Sequence, residues 1–193
     1  MPSKPRRTIT DPKALRALAH PLRWKLLELI TREGTATATQ CAREVGESVA
    51  NCSYHLNILA KYDYLEEADG GAGREKPWRL VHEGHQWTDV GLDTEGALAA
   101  EAASEAYLDF TFDEIRRRYR AASLEPEEWR LTVGVSDSNV FLTAEEAAAI
   151  HQELREIMNR HRDRTDHPAL RPPGARAVHL FLSTTVAPGI KSD

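Results

Sequence analysis

Between Ala17 and Leu80 the chain sets out, in order, a short apolar-periodic segment, a Gly-containing turn between two further short segments, and a glycine-rich basic hairpin. No other stretch restricts the possible fold as tightly. Thr10 or Asp11 can cap a helix opened by Pro12, because the first helical amide needs no intrahelical acceptor. His20 and Pro21 break that run, and Pro21 opens a second helix. There Leu22, Leu26, Leu29 and Ile30 recur at helical spacing, while Arg23, Lys25, Glu28 and Arg32 take the other side. Gly34 stops it. A third helix is predicted over roughly Thr39 to Val45, ending at Gly46, and Ser48 starts a fourth after a very short turn. Two short helices joined in this way form a helix-turn-helix.

In the fourth helix Val49, Cys52, Leu56 and Leu59 fall on one stripe and are expected to pack inward. The remaining face offers Asn51, Tyr54, His55, Asn57 and Lys61, with Ser48 and Ser53 near its start. These donors and acceptors have the reach for base edges and phosphates. Asn51 and Asn57 suit bidentate pairing with adenine, and Tyr54 suits a phosphate or a thymine methyl. After Leu65 the pattern changes to short strands around Asp69-Gly70-Gly71-Ala72-Gly73, a hairpin tip, followed by Arg74, Lys76 and Arg79 around Pro77 and Trp78. A cationic loop beside a probe helix is a wing, able to reach flanking phosphates. Double-stranded DNA is therefore the expected partner.

These residues resemble the ArsR-type winged helix-turn-helix repressors, through HPLRWKLLELI, SYHLNILAKYDYLEE and GREKPWRL, over about residues 11–82. The resemblance implies a homodimeric transcriptional regulator on a palindromic operator, whose grip changes when something else binds. It carries DNA contacts onto Ser53, Tyr54, His55 and the stretch from Arg74 to Arg79. In that alignment Thr37 and Thr39 stand where the family's metal-sensing thiolates would sit, and threonine is a poor ligand for a soft metal. Cys41 and Cys52 fall on apolar positions and are expected in the core, with a redox role left open. His82, His85 and Asp89 could supply ligands on one helical face, but Gly84 and Gly91 interrupt the run and a linker is expected instead. His161 and His167 make a weaker set. No metal or cofactor is expected.

The formal charge of −5 looks unsuited to a DNA binder until it is divided. Residues 1–80 hold 13 Lys and Arg against 10 Asp and Glu (+3), and residues 81–193 hold 12 against 20 (−8). The basic half is the winged half. Lys4, Arg6 and Arg7 form a basic arm, expected to be flexible over 1–10. No apolar run is long enough to span a bilayer and MPSKPRRTIT lacks a signal-peptide core, so a cytoplasmic protein without a membrane partner is expected.

A long helix is predicted from about Asp93 to Ala122 within a linker-and-helix segment, 83–124. Its apolar stripe, including Leu98, Ala102, Leu108, Phe112, Ile115 and Tyr119, is the expected dimer interface; the alternative is a core helix packed on its own chain. The stretch RRRYR is either a DNA patch or a charged helix end. Over 125–193 the pattern reads as a small regulatory or dimerising α+β unit. It has strands at Trp129–Val135, Val140–Leu142 and Ala177–Val186, and a helix capped by Thr143 and Glu146 with Ala147, Ile150, Leu154, Ile157 and Met158 on one face. The fold class is thus mainly α with an α+β part. Trp87, Tyr107, Phe110, Phe112, Trp129, Phe141 and Phe181 are candidate walls of an effector cavity, or simply core.

A transcriptional regulator, which the family resemblance implies is a repressor, is the leading reading. A winged module that binds protein and not DNA is the alternative. No nucleophile elbow, phosphate-cradling loop or HExxH motif supports an enzyme.

Overall fold

The computed structural model describes residues 7–70, 76–82 and 85–187. Strand β1 (Arg7–Thr8) runs into α1 (Pro12–Leu18), whose N-cap is Asp11: its Oδ1 accepts the Lys13 amide at 2.9 Å. In α2 (Pro21–Glu33) the cap is the His20 ring, whose Nδ1 accepts from the Leu22 amide at 3.2 Å. Gly34 closes the helix at φ +82°, a conformation that a side chain would oppose. Helix α3 (Ala38–Val45) begins on a Thr37–Gln40 capping box and ends on left-handed Gly46. Ser48 then caps α4 (Val49–Lys61).

Strands β2 (Leu65–Glu67) and β3 (Trp78–Leu80) pair antiparallel, Leu65 opposite Leu80 and Glu67 opposite Trp78. A bridge from Ala36 to Trp78 ties this hairpin to the loop after α2. Strand β4 (His85–Gln86) pairs in parallel with β1. Helix α5 (Thr94–Ala121), capped by Asp93, lies along α1 and α2.

One core gathers these elements. Leu15, Leu18, Leu26, Ile30, Cys41, Cys52, Leu56, Leu59 and Tyr64 are almost completely buried, together with Ala99, Ala100 and Ala103 of α5. Small residues on that face let α5 come close to α1. Tyr64 reaches under the core to donate its hydroxyl proton to the Ala14 carbonyl, 2.8 Å away. Burial of a phenol is tolerable because that donor is satisfied.

The chain divides into two units, residues 1–134 and 135–193. The boundaries therefore differ from the sequence reading in two ways. The basic arm is not free throughout 1–10, since Arg7 and Thr8 are in a strand and Ile9 is core. Nor does a separate segment begin at 83, because β4 and α5 complete the sheet and core of the first unit.

The strand expected at Trp129–Val135 starts instead as a helical turn, α6 (Glu127–Arg130). Pro126 at the cap and Glu127 and Glu128 in the first turn favour helix, and among the described residues no ladder partner favours a strand. The second unit contains α7 (Ala144–Asn159), with the expected Thr143–Glu146 capping box, and the short α8 (Asp163–Asp166). Residues 140–142 and 177–186 form no described strand, so among the described residues the short strands all belong to the first unit. The fold class stands as mainly helical with a few small strands. No described side chain of the second unit is buried; Ile150, Leu154 and Ile157 on the apolar face of α7 are all exposed.

Candidate nucleic-acid interface

Helix α4 is held from behind and open in front. Its inner stripe is Cys52, Leu56 and Leu59, as periodicity indicates, but Val49 lies outside that stripe and is 46% exposed. Position 49 is in the first turn, beyond the edge of the core formed with α2 and α3. Ser48, Ala50, Tyr54, Asn57 and Lys61 are exposed beside it, and Tyr54 is 61% exposed. Ser53 and Asn51 are half-buried at the margins.

His55 corrects the sequence reading. Expected to meet DNA, it is turned into the protein and only 5% exposed. Its Nδ1 accepts from Arg23 Nε at 3.2 Å, and its ring stacks on His20 with centroids 4.3 Å apart. Arg23 also donates through Nη1 to the Ala17 carbonyl at 2.7 Å, so one guanidinium links the end of α1 to the probe helix. Burial lowers the pKa of both His20 and His55, and the neighbouring Arg23 charge adds to it. Both rings thus act as neutral acceptors that position α4. The signal was present in the sequence, since residue 55 lies three after Cys52 and four before Leu59.

The amides of the helix face also have partners. Asn51 Nδ2 donates to Glu47 Oε2 at 3.0 Å, and Asn57 Nδ2 donates to the Ser53 carbonyl at 2.8 Å. In the wing, Lys76 pairs with Glu67 and Arg79 Nε donates to Glu66 Oε1 at 2.9 Å. These pairs are exposed, and exposed ion pairs contribute about 0–1 kcal/mol, so a phosphate can displace either carboxylate at little cost. Arg74 and the hairpin tip from 71 to 75 lie outside the described residues, as do Lys4 and Arg6. Arg7 is not an arm contact: it donates to the Tyr62 carbonyl and lies over the Tyr64 ring.

On α5 the outer stripe exposes Leu98 (61%) and Tyr119 (55%), with Leu108 and Phe112 also exposed and Ala102 and Ile115 partly covered. Three of the four arginines of RRRYR face acids. Arg116 pairs with Asp113, Arg117 with Glu114, and Arg118 bridges Glu114 to Glu28 of α2, the last at 2.8 Å. Burial opposes charge on Glu114, but hydrogen bonds from Arg117 and Arg118 outweigh it and hold its pKa below the usual range. This cluster clamps α5 to α2, which favours the helix-end reading over a DNA patch.

Three of the aromatic residues expected as cavity walls pack against the core of the first unit. Trp87 and Tyr107 pack on Trp24 with centroids 5.9 and 4.8 Å away, and Phe110 packs against the same core. Trp129 sits in α6, Phe141 is fully exposed and Phe181 is half-buried in the second unit. An open groove in the first unit includes Trp87, Thr94, Leu98 and Glu101, and of the expected walls only Trp87.

Cys41 and Cys52 are buried free thiols. Burial pushes Cys41 up to about 11 and raises Cys52 as well, so neither is a thiolate at neutral pH. Thr37 serves as the α3 cap. His85 is in a strand with its ring edge-on to Tyr64, 4.7 Å between centroids, and not on a helix with His82 and Asp89. Among the described residues no cluster of His, Cys, Asp or Glu is arranged to hold a metal.

Helices α2 to α4, the hairpin and the exposed front of α4 define a winged helix-turn-helix module. Residues 18–67, from the end of α1 through β2, match the family model for a helix-turn-helix domain. Comparison with curated proteins gives no match. No described helix is long and apolar enough to cross a membrane.

Proposed function

We propose that this protein is a sequence-specific DNA-binding transcriptional regulator. It acts as a homodimer on a palindromic operator, as a repressor whose hold on DNA responds to a non-thiolate signal through the C-terminal half. The observation that carries the reading is α4: a capped helix locked from behind by Arg23, His20 and the core, with Tyr54, Asn57 and Lys61 exposed, in a module whose hairpin carries Lys76 and Arg79. A helix so presented fits the major groove, and Lys61, Lys76 and Arg79 fit flanking phosphates. Arg74 and Ser53 complete the proposed contact set.

Binding to a duplex is expected to weaken steeply with salt, through counterion release. Lys61→Ala is expected to lower affinity on every sequence and reduce the slope of log K against log salt by about 0.9, read from band-shift titrations across salt concentrations. A salt-independent interaction, or one indifferent to removal of Lys61, Lys76 and Tyr54 together, would sink the proposal.

Homodimerisation would cover the outer stripe of α5, of which Leu98 and Leu108 are exposed members. Placing glutamate at both positions is expected to give a monomer by sedimentation, with the helical content unchanged, because a carboxylate is costly to desolvate at a closed interface. A dimer persisting in the double variant would place the interface elsewhere.

The alternative, a winged module that binds protein, is favoured by one observation: Glu66 and Glu67 already balance Arg79 and Lys76. The salt titration separates the two.

A further inference from the structure

We propose that the leading half of α4 reads thymine through its C5-methyl groups, with Val49 as the specificity-determining residue. The inference rests on the DNA-binding reading above and adds which base the helix recognises and how.

Three observations converge on it. First, Val49 is 46% exposed in the first turn of a helix whose other branched or large aliphatic residues face inward or are half-covered. Ala50 and Tyr54, one turn apart, share the front face, where Tyr54 is 61% exposed, and Val49 lies at the flank of that face in the first turn. Second, the residue best suited to pair with adenine in this turn is engaged elsewhere. Asn51 donates to Glu47, so a carboxylate stands beside its amide, where adenine N7, itself an acceptor, would have to approach. Third, Asn57 is turned back along the helix onto the Ser53 carbonyl, so the amides do not compete for the leading turns.

What remains exposed over the leading turns is a small apolar surface, with Ser48 at its start, where a hydroxyl suits a phosphate oxygen. In the major groove the one apolar group on a base edge is the thymine C5-methyl. Polar base edges set against valine would lose water without gaining a hydrogen bond, so the same surface disfavours other bases.

The full-length protein is first used to enrich duplexes from a random pool, giving a bound site. Each thymine of that site is then replaced singly by deoxyuridine, which removes the methyl and keeps the pairing edge. For the wild type, one or two replacements per half-site are expected to weaken binding about fourfold each, the value of one buried methyl-sized group. Val49→Ala is expected to bind the thymine site more weakly and to lose that sensitivity at one position. Asn51→Ala is expected to keep it. Val49 is half exposed and alanine favours helix, so folding is preserved, which circular dichroism checks. Indifference of the wild type to every replacement overturns the proposal, as does a Val49→Ala protein with undiminished sensitivity. A pool from which no duplex is enriched overturns the DNA-binding reading itself, and this inference with it.

Discussion

Truncating Leu56 to alanine is expected to destabilise the protein by about 2–5 kcal/mol, measured by chemical denaturation, the range for a buried leucine that leaves a cavity. Leu56 is fully buried on the inner side of α4, in the core shared with α2 and α3. It lies between Cys52 and Leu59, both also fully buried, so the site has no mobile edge that could collapse to fill the space. The loss would be felt in DNA binding because the same stripe fixes the angle of the probe helix. The informative contrast is Tyr54→Ala, on the front of the same helix and largely exposed. That variant is expected to unfold within about 0.5 kcal/mol of the wild type, as surface substitutions do, yet to lose affinity. Equal destabilisation by the two would mean that α4 is not supported as described.

The second large effect is on acid stability, through His85. Burial against Tyr64 lowers its pKa to about 4, with His82 and Arg7 contributing, from the ordinary 6.5. Its Nδ1 is buried with no hydrogen-bond partner among the described residues. The unfolded chain therefore binds a proton that the folded chain refuses, and stability rises with pH across this interval. The contribution is fully present above pH 6.5 and is lost as pH falls towards 4, reaching about 3 kcal/mol below that value. At pH 5 the loss amounts to about 2 kcal/mol. His20 and His55 shift in the same direction and add to the slope. His85→Phe keeps an aromatic edge on Tyr64 and removes both the titration and the unsatisfied nitrogen. Its advantage over the wild type in denaturation experiments is expected to grow by about 2 kcal/mol between pH 7 and pH 5. A constant difference across that range would show that His85 is solvated in the folded state.

Helix starts were legible in the sequence because capping is local. Asp11, Ser48, Asp93 and Thr143 each cap through a side chain that reaches an amide two or three residues on, and such contacts are written in the order of the residues. The inner stripe of α4 was legible for the same reason, apart from its first turn. Val49 fits the periodicity but lies past the end of the core, and His55 fits the periodicity although its polarity suggested the opposite. What brought His55 inside was a donor from α2, Arg23, thirty-two positions away. The pairing of β1 with β4 left no trace in either segment, since a two-residue strand has no alternation to detect.

Residues 125–193 illustrate the opposite failure. Alternation around Trp129–Val135 and Ala177–Val186 looks like strand, but a strand gains its stability from a ladder, and among the described residues neither segment has one. Local signals won wherever they were strong, as at the capping box of α7 and the Pro126-Glu-Glu start of α6.

By itself the sequence determined the helices of the winged module, the caps of α1 and α4 and the inward stripes of α2 and α4 beyond its first turn, because these follow from spacing and near-neighbour hydrogen bonds. Tertiary structure alone decided which polar groups of α4 remain available. Glu47 engages Asn51, Arg23 and His20 hold His55, and Glu66 and Glu67 meet Arg79 and Lys76. A polar side chain contributes to recognition only if its partners within the fold leave it free, and most of those partners come from other elements of the fold.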